Sequence, residues 1–164
     1  QNTWMNLMEE YRKEKYPTMV NLSDGPKGSE EDQALATQVA TDSLKAYPEM
    51  NGLFALTSVS LPGAAEALRK SNASQRVFLT GLATPNAMRQ YVKDGTVKKF
   101  ALWNCEDLGY LTVYAAVAAV KGELNPGATE ITAGHIGAAK ITGSEILLGD
   151  PLVFDANNID QYNF

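Results

Sequence analysis

Two stretches of this chain have the same order of parts: "LFALTSVSLPGAAEALRKS" at 53–71 and "VFLTGLATPNAMRQYVKDG" at 77–95. Each opens with an apolar run, passes through a turn bearing hydroxyls, meets a proline and continues with apolar residues at helical spacing. A third apolar run, Val97 to Asn104, follows directly. Strands separated by helices cannot pair as hairpins; they form βαβ units, and the expected fold class is α/β, a parallel sheet with helices on both sides.

The rest of the chain fits around these units. Trp4, Leu7, Met8 and Tyr11 recur at helical spacing, and Pro17 ends that helix. Met19 to Leu22 reads as a short strand. In the loop "SDGPKGSEED", Ser29 and Asp32 form a capping-box pattern for a helix running to about Tyr47. "YPEMNG" breaks the chain before the strand Leu53 to Thr57. "EDLGYLTVYAAVAAVKG" reads as a further helix, and the Gly- and Thr-rich region from Glu123 to Asp150 as loops and a hairpin. "PLVFDANNIDQYNF" supplies a last strand and a polar tail.

At 164 residues, with 45% hydrophobic and 20% charged residues, the composition is that of one ordinary globular domain. The net charge of -5 comes from scattered acids, and no basic cluster exists to neutralise phosphates, so nucleic acid is not an expected partner. Leu108 to Val120 carries no charge but is shorter than the roughly 20 residues that span a bilayer. One cysteine allows no internal disulfide. The opening "QNTWMNLMEEYRKEKYP" has neither an initiator Met nor a signal peptide. It reads as a chain that begins inside a longer one, with any export signal lost with the missing part.

In an open parallel α/β sheet, ligands bind at the carboxyl ends of the strands. Thr57, Ser58 and Ser60 lie at the first such junction, Ala83, Thr84 and Asn86 at the second, and Trp103 and Asn104 end the third strand. An aromatic face beside neutral hydrogen-bonding groups suits a small polyhydroxylated ligand better than an anion. Ser and Thr in front of a helix also serve simply as N-caps, and Trp103 fits a core position as well.

Catalytic patterns are weak. Cys105 as a nucleophile needs a base, and the sole histidine, His135, sits in "AGHIGAA" with no motif around it. Glu106 and Asp107 open a helix, where negative charge offsets the macrodipole. "GPKGS" lacks Walker spacing, and no metal-ligand spacing appears. No catalytic residue, metal or cofactor is expected.

"LPGAAEALRKS", "LTGLATPNAMRQYVKDGTVKKFALWN", "DLGYLTVY" and "LVFDANNIDQYNF" resemble the C-terminal half of periplasmic sugar-binding proteins of ABC importers, in the branch of rhamnose-binding proteins and the autoinducer-2 receptor. The resemblance covers nearly the whole chain and is weakest from Glu123 to Asp150. It implies a type I periplasmic binding protein fold, with two α/β lobes joined by three crossings and the ligand in the cleft. Residues 1–104 would form the second lobe. Residues 105–150 would be a crossover segment whose helix packs on a missing first lobe, and 151–164 would return to the second lobe. On that pattern Leu108, Leu111, Val113, Tyr114, Val117 and Val120 form an exposed apolar surface in this chain.

The resemblance also implies ligand roles. Gln1 and Asn2 match the loop before the lobe's first helix, though an Asp that usually precedes Gln1 is absent. Thr57 and Ser58 match a loop that in related sugar binders holds Asn or Asp. Ala83 stands where many have an Asp, which favours an apolar group such as a 6-deoxy methyl. Asn104 matches the amide or acid at the third hinge, with Trp103 beside it. The implied protein is a non-enzymatic, periplasmic or otherwise exported receptor that hands a rhamnose-like 6-deoxyhexose to a membrane permease. Autoinducer-2 reception, or the effector domain of a sugar-responsive transcriptional regulator, are the alternatives.

Overall fold

The structure, a computed structural model, describes residues 1–164. The chain divides into two compact units, Gln1–Ala101 with Val153–Phe164, and Leu102–Leu152.

The first unit contains helices α1 (Asn2–Lys15), α2 (Gln33–Ala46), α3 (Ser60–Lys70) and α4 (Pro85–Lys93), strands β1 (Gly52–Ala55) and β2 (Phe78–Gly81), and, apart from Leu102 and Leu152, strands β3 (Phe100–Leu102) and β7 (Leu152–Phe154). β1 and β2 pair in parallel, Gly52 opposite Phe78 and Ala55 opposite Gly81. A parallel bridge from Leu82 to Ala101 carries the layer on to β3, which pairs with β7. This is the α/β architecture that the strand and helix order dictates.

Helix α3 forms because "LPGAAEALRK" places Leu61, Ala64, Ala65 and Leu68 on one face, all buried. It packs against α2 through Gly63, where an added Cβ would lie 2.6 Å from the Ala36 Cβ and 2.8 Å from the Gln33 carbonyl. Only glycine admits that approach. Val77, Leu79, Met88, Val97, Phe100, Phe154 and Ile159 are fully buried as well. The rings of Phe100 and Phe154 lie 5.0 Å apart, and each large side chain removed from water contributes about 2 kcal/mol. The tail is fastened to α4: the Asn86 amide donates to the Phe164 carbonyl at 3.1 Å, Arg89 donates to the carbonyls of Ile159 and Tyr162, and Asp160 pairs with Lys93 at 2.8 Å.

Three local expectations change. Met19 to Leu22 is not a strand but loop, with Val20 77% exposed, because no neighbouring strand takes up its backbone groups. The cap of α2 is Asp32, whose side chain accepts from the Leu35 amide at 2.8 Å, not Ser29. Glu30 and Glu31 have φ of 49° and 55°, so the turn before Asp32 is left-handed and cannot be the helix's first turn. The third strand is shorter than Val97 to Asn104, since Val97 turns back to donate to the Tyr91 carbonyl and pairing begins only at Phe100.

The second unit is helix α5 (Cys105–Val120) with an antiparallel sheet of β4 (Glu130–Ala133), β5 (Gly137–Thr142) and β6 (Glu145–Ile146). Leu111, Ala118, Ile131, Ala133 and Ala139 form its small core. Leu111 is therefore buried, whereas Leu108, Val113, Tyr114, Val117 and Val120 are exposed, Val120 by 91%. No helix is long and apolar enough to cross a membrane.

Candidate functional site

Because β1 and β2 are parallel and in register, the segments that leave them emerge at one sheet edge. The first segment is built on mutual capping. The Thr57 amide donates to Ser60 Oγ at 2.9 Å, and the Ser60 amide donates to Thr57 Oγ1 at 3.1 Å. Both hydroxyl oxygens thus serve the helix start, as the capping reading allowed. Ser58 between them is exposed and makes no such bond.

At the second junction, Thr84 is the N-cap of α4 by backbone geometry, but its side chain makes no capping bond. The Asn86 amide at the second helical position, which such a cap would serve, donates instead to the Phe164 carbonyl at 3.1 Å. Asn86 is engaged by Arg89 at 2.7 Å. Ala83 is fully buried. The edge at this point is set by Gly81, where an added Cβ would lie 1.7 Å from the Ala55 carbonyl oxygen. That closeness brings the β1 and β2 junctions side by side.

Gln1 and Asn2, at the start of α1, are exposed. The Gln1 carbonyl accepts from the Met5 amide at 3.0 Å, its side chain makes no cap, and no hydrogen bond joins either residue to Thr57, Ser58 or Ala83.

Trp103 and Asn104 belong to the second unit, both half-buried. Asn104 Oδ1 accepts from the amides of Glu106 at 3.0 Å and Asp107 at 3.2 Å, capping α5, and its Nδ2 group keeps both hydrogens for another acceptor. Cys105 is exposed.

One cluster was not visible in the sequence. His135 Nε2 lies 2.8 Å from Asp107 Oδ1, and its ring lies 4.3 Å from that of Tyr110, whose hydroxyl donates to Tyr114 at 3.2 Å. The spacing of Asp107, Tyr110 and Tyr114 puts them on one helix face, but nothing local ties that face to a histidine 28 residues on.

A parallel α/β layer that gathers hydroxyl-bearing turns at one edge is the arrangement of a small-molecule binding lobe. The chain belongs to the periplasmic binding protein domain family, whose model matches residues 1–124. Members of this family are the solute-binding components of transporters, not enzymes, and the α/β architecture is part of a type I periplasmic binding protein fold. Among solved structures, a sugar ABC transporter protein from Actinomyces odontolyticus is 37% identical with a TM-score of 0.85, over 100% of this chain and 53% of that one. LsrB from Clostridium saccharobutylicum in complex with AI-2 is 27% identical with a TM-score of 0.88, over 100% and 55%. An ABC transporter solute-binding protein from Clostridium phytofermentas with bound L-rhamnose is 28% identical with a TM-score of 0.87, over 98% and 54%. The chain spans about half the length of the structures it matches.

Proposed function

We propose that this chain is the second lobe and hinge crossing of an exported sugar-binding protein that serves an ABC importer, with a rhamnose-like 6-deoxyhexose as ligand. The observation that carries the reading is likeness over 98% of the chain to a protein with bound L-rhamnose, at 28% identity and a TM-score of 0.87. Residues 1–104 would be the lobe, 105–150 the segment whose apolar helix lies against a first lobe, and 151–164 the return.

In this reading Gln1, Asn2, Thr57 and Ser58 face the cleft from the lobe. Thr57 retains a hydroxyl hydrogen to donate while its oxygen caps α3. Trp103 offers an apolar face to the sugar ring, and Asn104 donates through Nδ2 to a ring hydroxyl. Ala83 acts by what it does not present, since no carboxylate stands there to demand a hydroxyl at the sugar's 6-position. Hydrogen bonds from both lobes would fix the sugar, and hinge closure would report occupancy to the permease.

Calorimetric titration with L-rhamnose of a protein carrying both lobes tests this, with saturable binding expected there and weak or no binding by the 164-residue chain, which lacks half the contacts. Absence of saturable binding of any 6-deoxyhexose to the two-lobed protein would overturn it. Autoinducer-2 is the second reading, favoured by the TM-score of 0.88 to the AI-2 complex. The same titration with autoinducer-2 decides between them.

A further inference from the structure

At the opposite edge of the first unit, the amino ends of its strands line a partly open pocket of about 100 Å³, with Arg76 and Lys98 both exposed at it. Asn51 precedes β1, Arg76 and Val77 precede β2, and Thr96 and Lys98 precede β3. No acidic side chain lines it.

Three features make it a built site. Arg76 Nη1 donates to the carbonyls of Pro48 and Met50, both at 2.6 Å, so the guanidinium is held in place while its Nη2 and Nε hydrogens have no partner. Thr96 is 6% exposed and the one polar residue in the buried set. Its amide is bound by Asp94 Oδ1 at 2.9 Å, but its hydroxyl has no partner in the chain, and no buried side-chain atom lacks a bond, so that hydroxyl is reached through the cavity. Lys98 is exposed and enters no ion pair, in a chain whose net charge is -5.

We propose that this cavity binds a small oxyanion of phosphate size. The space is large enough for several waters or one tetrahedral oxyanion. Arg76 supplies a charged donor held by two carbonyls, Thr96 a neutral hydroxyl donor, and Lys98 a second charge that closes the site from outside. The anion would tie the entries to β1, β2 and β3 together at the edge remote from the hydroxyl-bearing turns. The inference does not depend on the sugar reading.

The test is a titration of the 164-residue chain with inorganic phosphate at pH 7.5 and constant ionic strength. Amide chemical shifts and thermal midpoint are the readouts. Saturable shifts centred on Thr96, Arg76 and Lys98, with a rise in midpoint that equal chloride does not give, are expected. Lys98→Gln removes an unpaired surface charge and leaves the fold intact; it should weaken phosphate about tenfold. Thr96→Val should weaken it too, by a smaller factor. Shifts that are non-saturable, that lie elsewhere, or that are unchanged in Lys98→Gln would overturn the proposal.

Discussion

Thr57 and Ser60 cap each other: the amide of each donates to the other's hydroxyl oxygen, at 2.9 and 3.1 Å, and close the turn between β1 and α3. The first contact loop is therefore fixed before any ligand arrives. Thr57→Val keeps the shape but orphans the Ser60 amide, and should lower stability by about 1 kcal/mol in urea unfolding. Ser58→Ala, exposed and outside the cap, should stay within about 0.5 kcal/mol of the parent. If Thr57→Val were as silent as Ser58→Ala, the cap would not matter to the fold.

Asn104 separates into two roles by atom. Its Oδ1 caps α5 through the Glu106 and Asp107 amides, and its Nδ2 is open. Asn104→Ala should cost about 1 kcal/mol, whereas Asn104→Asp keeps the acceptor at a helix N-terminus and should cost less. Under the proposed function both substitutions weaken sugar binding by the two-lobed protein, because both remove the donor. Equal stability losses in the two variants would contradict the capping role.

How much of this was legible follows from what is local. The βαβ order was, because apolar runs, hydroxyl turns and prolines at 53–71 and 77–95 each act within their own stretch. That Asn104 lies between a strand and a helix was legible for the same reason; its cap on α5 was not read. The strand at Met19 to Leu22 was misread because propensity says nothing of whether a neighbour exists to pair with it. Leu111 was misplaced with its exposed neighbours because the sequence at 130–146 gave no sign that a sheet there would cover one face of α5. The His135–Asp107 contact joins segments far apart in the chain and left no local mark.

Gly81 allows the closest approach in the first unit. A Cβ there would sit 1.7 Å from the Ala55 carbonyl oxygen, at a φ of 156°. Gly81→Ala should cost about 3 kcal/mol, since both partners are backbone and neither side can yield without breaking the parallel pairing. Gly95, with a φ of 78° but open space around it, is the control: Gly95→Ala meets only backbone strain, about 1 kcal/mol. Denaturant midpoints rank the two, and a Gly95→Ala loss as large as that of Gly81→Ala would refute the steric account.

Acid should loosen the tail. The Lys93 ammonium bonded to Asp160, with Arg89 beside it, holds its carboxyl below the ordinary value of 3.8. A carboxyl whose folded pKa is depressed contributes stability that is whole above the unfolded value and lost as pH falls through the folded one. Exchange protection of the Asn86 amide, which donates to the Phe164 carbonyl, should therefore hold above pH 4 and drop below it. Asp160→Asn should show reduced protection at neutral pH and a flatter acid profile, and a profile identical to the parent's would remove Asp160 from the account.

Helix α5 divides its apolar residues between two faces. Leu111 and Ala118, seven residues apart, are buried against the β4–β5–β6 sheet, while Val113, Val117 and Val120, at helical spacing, are exposed by 63%, 47% and 91%. An uncovered stripe of that kind drives association, because hiding it from water is favourable whatever covers it. Charged substitutions on it should therefore leave folding alone and change solubility. Val113→Glu with Val120→Lys should stay within about 1 kcal/mol of the parent in urea, while Leu111→Ala on the buried face should cost about 3 kcal/mol. In sedimentation velocity the parent chain should gain mass with concentration and the double variant should remain monomeric over the same range. Equal association by both would mean that the α5 stripe is not the adhesive surface, and a large stability loss in the double variant would mean that the stripe is packed in solution.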